Sequence, residues 1–264
     1  MNTNNNVYTI IYTTVVCVVV AAILAFVSQS LKGRQEANEK AENISQILTA
    51  AQFGEKSSWT DNNTTINFYR ENIDKALLVN AKGETVRVMD AENAEIYTVS
   101  DLKKQNYNVN DAAKADELEI PVYIFKNGVS VLPLYGAGLW GPVWGYVALE
   151  SDLRTIKGAY FDHSSETPGL GGKIKDDPEF RGAFCGKQIN IAAERPFSIA
   201  KGAGSRNDGI DAISGATMTS KGVDAALVAW LDAYKPYISA ALSVPAPETE
   251  VEEAEVAEVE TVNE

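Results

Sequence analysis

Hydrophobic and polar positions divide the N-terminal part of this 264-residue chain into two predicted helical segments. Residues 7–28 are almost entirely apolar and uncharged, a stretch long enough for one helix to cross a bilayer. Residues 29–54 predict a membrane-proximal helix that ends at Gly54, because apolar side chains recur there at helical spacing (Ala37, Ala41, Ile44 and Leu48). We therefore expect a short N-terminal tail, residues 1–6, followed by one membrane span and a helical extension.

Residues 55–242 show shorter apolar runs that are separated by turn residues, which predicts a folded domain. A helix is predicted over 68–78, and the polar, weakly periodic stretch 101–117 predicts a surface insertion. The predicted strands are 77–79 with 84–88, 121–125 with 129–132, and 155–161. Because hairpins precede the last helix and do not alternate with helices, the fold class is predicted to be α+β, with a mostly antiparallel sheet and flanking helices.

The last predicted helix follows a run of small and hydroxylated residues, 211–220. Its apolar face is Val223, Ala226, Leu227, Trp230 and Tyr234, and Lys235-Pro236 is expected to close it. Thr217, Thr219 and Ser220 are all capable N-caps for a run that begins at Lys221. Free N–H groups at a helix start, together with Lys221, favour a phosphate. From the local chemistry, an ordinary capped helix remains the alternative.

Two glycine-rich loops come before that helix. Gly136, Gly138 and Gly141 allow sharp bends, and Trp140 and Trp144 offer flat apolar surfaces. The tryptophans could form a wall for a planar ring or could cap the core. The second loop, 163–172, contains Pro168-Gly169 and could direct backbone N–H groups and Thr167 toward a polar ligand. We assign no catalytic role to His163 or Glu166.

Charge and cysteine content narrow the function classes. The net charge is −13, but eight glutamates lie in residues 243–264, which we expect to be an acidic, disordered tail; without them the charge would be −5. The sequence has no basic patch, so nucleic-acid binding is not expected. One histidine and the separated Cys17 and Cys185 argue against a zinc or iron–sulfur site.

The apolar N-terminus predicts a retained anchor. A cleaved signal peptide is disfavoured because no basic residue precedes the apolar run, and a lipoprotein anchor is disfavoured because bulky Val16 precedes Cys17. Lys32, Arg34 and Lys40 follow the span, and by the positive-inside rule they would place the domain in the cytoplasm.

Four motifs give the chain a family resemblance. Residues 211–217, Asp-x-x-Ser-Gly-Ala-Thr, match the acceptor motif of proteins that carry FMN covalently. Gly138-Leu-Trp140, Glu166-Thr-Pro-Gly-Leu-Gly171 and Gly186-Lys187 occur in the same order as in the C subunits of sodium-translocating NADH:quinone reductases, which the chain resembles up to Tyr237. The related G subunit of the Rnf-type complex shares the Glu-Thr-Pro-Gly loop at 166–169 and the Ser-Gly-Ala-Thr loop at 214–217, and it is the alternative.

The resemblance implies one FMN, joined through its phosphate to Thr217 by a flavin transferase. The other implied FMN-binding residues are Asp211, Ser214, Gly215, Ala216, Thr219, Lys221, Gly138, Leu139, Trp140, Glu166, Thr167, Gly169 and Leu170. It also implies an electron relay inside a sodium-pumping complex, next to the B, D and E membrane subunits, with the FMN domain on the periplasmic side of a bacterial inner membrane. Rivals are an Rnf-type relay and a non-redox binding module in which Thr217 only caps a helix.

Overall fold

A computed structural model describes residues 6–243 of the chain. The predicted tails 1–6 and 243–264 lie outside this range except for residues 6 and 243. A six-stranded antiparallel sheet in the order β2-β1-β3-β4-β5-β6 has helices on both faces, which confirms the predicted α+β class. The strands are β1 Ile73–Val79, β2 Thr85–Val88, β3 Ile120–Phe125, β4 Ser130–Ala137, β5 Pro142–Leu149 and β6 Ile156–His163, with a small parallel pair formed by β7 Ser198–Ile199 and β8 Gly209–Ile210.

The helices are α1 Asn6–Ala50, α2 Asn62–Asn72, α3 Val99–Val109, α4 Lys173–Asp176, α5 Pro178–Gly182 and α6 Thr217–Ser243. Short 3-10 turns lie at Lys56–Ser58, Ala112–Glu117 and Ala203–Ser205. The predicted strand pairs around the turns at 80–83 and 126–128 are both present, as is the predicted strand over 155–161.

The two predicted N-terminal helical segments form one unbroken helix, α1, of 45 residues. It is exposed from residue 9 to residue 39, and its side chains enter the core from Ala41 onward. The helix is long and apolar enough to cross a membrane. It ends at Ala50, before Gly54, because Gln52 adopts a φ of 59° while Phe53 N–H donates to the Leu48 carbonyl. This is a Schellman closure formed without glycine.

The helix predicted over 68–78 is wrong in its second half. Asp61 caps α2 through a 2.7 Å bond from the Thr64 N–H, and this helix ends at Asn72. From Ile73 the chain is strand β1, whose side chains alternate between the two faces of the sheet, and both faces are covered. A strand that is buried on both sides has the same near-continuous apolar pattern as a buried helix.

The stretch 101–117, predicted to be a surface insertion, contains α3. Thr98 and Asp101 form a reciprocal capping box at its start. Only one side chain of α3, Leu102, is buried, so the helix has little apolar periodicity. It is attached to α6 by a 3.0 Å bond from the Trp230 indole to Asn106.

Helix α6 is longer than predicted at both ends, since it begins at Thr217 and continues through Pro236 to Ser243. Tyr234 and Ile238 are fully buried on either side of the proline, and the Tyr234 hydroxyl contacts two strand carbonyls. Proline removes only one backbone donor, and packing of these side chains holds the helix across it.

The sheet separates two apolar layers. On one face lies the end of α1 with α2, and its core includes Ile44, Ile47, Tyr69, Tyr123 and Tyr146. On the other face lie α3 to α6, and its core includes Leu134, Val147, Phe161, Phe184, Trp230 and Tyr234. The β4–β5 turn, the loop after β6 and the start of α6 come together at one end of the second layer.

Candidate functional site

Glu166 joins the three segments that the sequence singled out. One carboxylate oxygen accepts a 2.9 Å bond from the Trp140 N–H in the β4–β5 turn. The other accepts a 2.6 Å bond from the Thr219 hydroxyl in the first turn of α6. Glu166 itself belongs to the loop after β6, where its N–H donates to His163 Nδ1 at 3.1 Å. The two loops and the helix start therefore form one connected site.

Glycines make room for this carboxylate. A Cβ on Gly138 would lie 2.4 Å from Glu166 Oε1, and one on Gly171 would lie 2.3 Å from Oε2. Such distances are far inside van der Waals contact, so any side chain at these positions would displace the carboxylate. Helix α6 approaches the same turn, because a Cβ on Gly222 would lie 2.1 Å from the Ala137 carbonyl oxygen.

The three hydroxyls at the start of α6 have different surroundings. Thr219 is buried and donates to Glu166, and Ser220 is buried and accepts a 3.1 Å bond from the Ile213 N–H. Thr217 is exposed, and its hydroxyl has no hydrogen-bond partner within residues 6–243. Of the three side chains, only that of Thr217 offers a free oxygen to another molecule.

The backbone around Thr217 suits an anion. Thr217 is the first residue of a 27-residue helix, so the N–H groups of its first turn have no helical acceptor. Gly215 has a φ of 79° in the turn just before it, a left-handed conformation that favours glycine. Lys221 is exposed one turn further on. A phosphate ester at Thr217 would meet the positive end of the helix dipole.

Large apolar side chains are exposed around this hydroxyl. Leu139 and Trp140 in the β4–β5 turn are 50% and 66% exposed, Leu170 is 46% exposed, and Met218 is 56% exposed. Leu170 lies against the acceptor turn, since a Cβ on Gly215 would be 3.3 Å from its Cδ2. Exposed apolar groups that share one place on a surface indicate a binding site. Sequence reasoning missed Met218 because it placed the helix start at Lys221.

The remaining implied residues shape the backbone. Thr167 accepts bonds through its carbonyl from the N–H groups of Leu170 and Gly172, and Gly169 has a φ of 75° at the loop tip. Asp211 accepts a 2.5 Å bond from the Gly202 N–H, so its carboxylate secures the loop before β8. Ala216 is buried, whereas Ser214 is exposed.

Trp144 lies outside this site. It projects from β5 toward α1, where its indole donates a 3.1 Å bond to Gln46. Gln46 in turn donates to Asp162, which forms a 2.9 Å ion pair with Lys175. The sequence offered both tryptophans as walls for a planar ring, but only Trp140, in the exposed β4–β5 turn, lies at this site.

Two open clefts border the site. One of about 480 Å³ is lined by Lys173, Phe180, Lys187, Asp211, Ile213 and Ser214, so it opens beside the acceptor turn. A larger one of about 600 Å³ lies between α3 and α6, and neither cleft is lined by any of the three hydroxyl residues. We assign the site to the Thr217 end because a free hydroxyl, a helix start and apolar side chains coincide there.

Comparison with known proteins agrees with this assignment. Residues 138–232, from the Gly138 turn to α6, match the FMN-binding domain family. The chain is 32% identical over 252 residues to the C subunit of the Na(+)-translocating NADH-quinone reductase of Neisseria meningitidis serogroup B, covering 88% of this chain and 92% of that one. It is 30% identical over 231 residues to the protein of the same name from Haemophilus ducreyi, covering 82% and 87%.

Solved structures give the same result. The crystal structure of the C subunit of the Na(+)-translocating NADH-quinone reductase from Parabacteroides distasonis matches with a TM-score of 0.63 and 35% identity, covering 79% of this chain and 97% of that one. NqrC of Shewanella oneidensis matches with a TM-score of 0.60 and 25% identity, covering 78% and 98%. These likenesses favour the sodium-pump family over the Rnf-type alternative. The chain belongs to the family of C subunits of the Na(+)-translocating NADH-quinone reductase.

Proposed function

We propose that this chain is the membrane-anchored electron carrier of a sodium-pumping NADH:quinone reductase, with one FMN held by a phosphoester to Thr217. The observation that carries the proposal is the difference between the hydroxyls of the acceptor turn. Thr217 is exposed and unpartnered in the described chain, whereas Thr219 and Ser220 are buried and hydrogen-bonded. A transferase acting on the folded domain can reach only the first of these oxygens.

Different residues of the site bind the phosphate and the ring of the FMN. The N–H groups at the start of α6, with Lys221, stabilise the phosphate charge. Leu139, Trp140 and Leu170 supply apolar contact area for a planar ring, and Met218 adds to it. The turns at Gly138, Thr167 and Gly169 direct backbone groups, while Asp211, Ser214, Gly215 and Ala216 give the acceptor turn its shape.

Bound FMN supplies the redox chemistry, in which electrons are accepted and passed on. The protein supplies attachment, orientation and a surrounding that sets the potential. A covalent tether prevents loss of the cofactor while its ring meets partner proteins in the complex. We therefore assign no catalytic residue to this chain and describe it as a carrier within an oxidoreductase complex.

The proposed partners are the flavin transferase that loads Thr217, the FMN-carrying B subunit and the membrane-embedded D and E subunits. Helix α1 provides the contact with membrane lipid, because its side chains are exposed and apolar over the length of one span. The membrane is the bacterial inner membrane. A span without charged groups offers no ion pathway of its own, so sodium transport belongs to the other members of the complex.

The folded domain lies on the periplasmic side in this proposal, against the simple charge bias. Lys40, one of the three cations that follow the span, donates to the Asn93 carbonyl. The periplasmic placement follows the family resemblance. Cys185 is exposed and Cys17 lies within the span, so a membrane-impermeant maleimide should label Cys185 in cells with a permeabilised outer membrane. Labelling that requires disruption of the inner membrane would place the domain in the cytoplasm.

The attachment is tested by the intact mass of the full chain, made in detergent together with a flavin transferase. We expect a gain equal to FMN less one water in the wild type and in Thr217→Ser, and no gain in Thr217→Ala. The melting temperature should change little in Thr217→Ala, because its side chain is exposed. A colourless wild-type protein, with a transferase shown to modify another acceptor, would make Thr217 an ordinary helix residue and remove the flavin proposal.

A further inference from the structure

Glu166 differs from the other buried carboxylate in the described chain. Within residues 6–243, only Asp162 and Glu166 are buried acidic residues, each about 4% exposed. Asp162 has Lys175 as an ion-pair partner at 2.9 Å. Glu166 has no cationic partner in the same range, and its carboxylate is held by neutral donors. A buried charge is costly unless its hydrogen bonds compensate it, so these bonds are central to its role.

Both oxygens of Glu166 are used to connect separate segments. Oε1 receives the N–H of Trp140, and Oε2 receives the hydroxyl of Thr219, two residues after Thr217. Gly138 and Gly171 both pack closely against the carboxylate, since a Cβ on either would lie 2.4 Å or less from it. The carboxylate also lies at the start of α6, where the helix dipole favours a negative group.

We propose that Glu166 is a positioning residue, whose carboxylate fixes Trp140 relative to the first turn of α6. The inference rests on the proposed function for the ligand that this arrangement serves. Trp140 offers the largest exposed aromatic surface of the site, and Thr217 provides the attachment oxygen. Glu166 therefore sets the separation between the ring contact and the point of attachment, and it contributes nothing to the attachment itself.

Substitution by glutamine separates geometry from charge. A glutamine oxygen can accept from the Trp140 N–H while its amide donates to the Thr219 hydroxyl, which can accept as well as donate. Glu166→Gln should therefore keep the connection, whereas Glu166→Ala should release it. Glu194→Ala, at an exposed position away from the site, removes the same charge and serves as the control.

The first test needs no flavin. Hydrogen exchange is followed by mass spectrometry in the unmodified full chain in detergent, on the peptide that contains Trp140. We expect exchange of one amide to accelerate on the order of tenfold in Glu166→Ala, the factor for loss of one typical hydrogen bond. Glu166→Gln and Glu194→Ala should match the wild type. Equal exchange in wild type and Glu166→Ala would overturn the proposal, and so would a glutamine variant that behaves like alanine.

The second test uses the flavinylated chain. Intact mass should show equal FMN incorporation in all variants, because the Thr217 hydroxyl stays exposed. Flavin fluorescence, which a nearby tryptophan quenches, should rise in Glu166→Ala and remain at the wild-type level in Glu166→Gln. Unchanged fluorescence in Glu166→Ala would contradict the proposed positioning of Trp140.

Folding is controlled separately. If Glu166→Ala fails to fold, as judged by its melting curve, Thr219→Val removes the second bond with a side chain of similar shape. We then expect the same rise in flavin fluorescence in Thr219→Val, and a wild-type level there would overturn the proposal. If the wild-type chain takes up no flavin, the proposed function is wrong. Hydrogen exchange at the Trp140 amide needs no flavin, so it would still test the role of Glu166.

Discussion

At the scale of single residues, the site depends on positions that have no side chain at all. Gly138, Gly171 and Gly222 each bring a loop, a carboxylate or a helix within a distance that a Cβ would prevent. Gly138 and Gly171 pack directly on the Glu166 carboxylate, and Gly222 brings α6 against the backbone of Ala137. The acceptor turn is therefore held in place from two directions, by the Glu166 carboxylate and by the packing of α6 on strand β4.

Gly222→Ala tests this close packing. An alanine inside a helix normally gains up to about 1 kcal/mol over glycine. Here the added Cβ would lie 2.1 Å from the Ala137 carbonyl oxygen, so α6 must move away from β4. We expect a net loss of about 1–3 kcal/mol in the free energy of unfolding, as for other overpacked sites.

Gly182→Ala is the matched control, since no atom lies within 4 Å of its added Cβ at the end of α5. It should be neutral or stabilising by up to about 1 kcal/mol. Chemical unfolding of both variants in detergent gives the comparison. Equal stability of the two proteins would show that α6 adjusts without cost.

Residue-level prediction from the sequence rested on a motif. The acceptor motif pointed to Thr217, but it carried no information on the surroundings of the Thr217, Thr219 and Ser220 hydroxyls. Those surroundings depend on Glu166, 53 residues away from Thr219, and on the Ile213 N–H. Long-range contacts of this kind leave no periodic signal in a single sequence.

At the scale of elements, helix α1 is joined to the sheet by polar as well as apolar contacts. Gln46 connects the helix to Asp162 of β6 and to Trp144 of β5. One turn earlier, Glu42 accepts a 2.8 Å bond from Lys56. The last turns of the helix are therefore part of the domain.

The Glu42–Lys56 pair predicts a pH dependence. Partial burial alone would raise the pKa of Glu42, but bonds from Lys56 and Gln46 outweigh it and hold the pKa below its usual value of 4.5. A lowered pKa in the folded state stabilises the protein above pH 4.5, and this contribution is lost as the pH falls through the folded value. The pair is half exposed, so the contribution at pH 7 is at most about 1 kcal/mol.

Glu42→Gln should therefore melt below the wild type at pH 7, and the difference should shrink as the pH falls below 4.5. Glu39→Gln is the control, because Glu39 is exposed and makes no ion pair in the described part of the chain. Thermal melting of the three proteins across this range provides the measurement. A difference that stays constant with pH would mean that the carboxylate charge is not the stabilising feature.

Element prediction failed where burial was unusual. Strand β1 is covered on both faces and resembles a helix in its pattern, while α3 buries a single residue and resembles a loop. Both hairpins were predicted because their turns contain Asn-Gly or Lys-Gly and flank alternating residues. Turn chemistry is local, whereas the number of covered faces is a property of the whole fold.

At the scale of the whole molecule, α1 gives the domain a direction relative to the membrane. Gln46 contacts Asp162, whereas the Ala50 carbonyl lies beside Gly158, so α1 and β6 run in opposite directions. Residues later in α1 are farther from the span, and those later in β6 are nearer to it. The loop after β6, and with it the Thr217 site, therefore lies at the end of the domain that faces the membrane.

The unbroken helix also fixes the rotational orientation of the site about the helix axis. Each residue of an α-helix turns the chain by about 100° and advances it by ~1.5 Å. Inserting one alanine after Gly33, where the helix is exposed, should swing the domain about a third of a circle around the helix axis. Inserting seven alanines should restore the original orientation to within ~20° and move the domain about 10 Å farther along the helix axis.

We expect the single insertion to reduce sodium-stimulated quinone reduction by the assembled complex while flavinylation and melting temperature stay at wild-type values. The seven-residue insertion separates the effect of distance from the effect of rotation, because it moves the domain along the helix axis and almost preserves its orientation about that axis. Full activity after a single insertion would show that the part of α1 that follows the span can rotate and compensate for the insertion. If the helix does not swivel, the length of α1 sets the orientation of the carrier toward its partners.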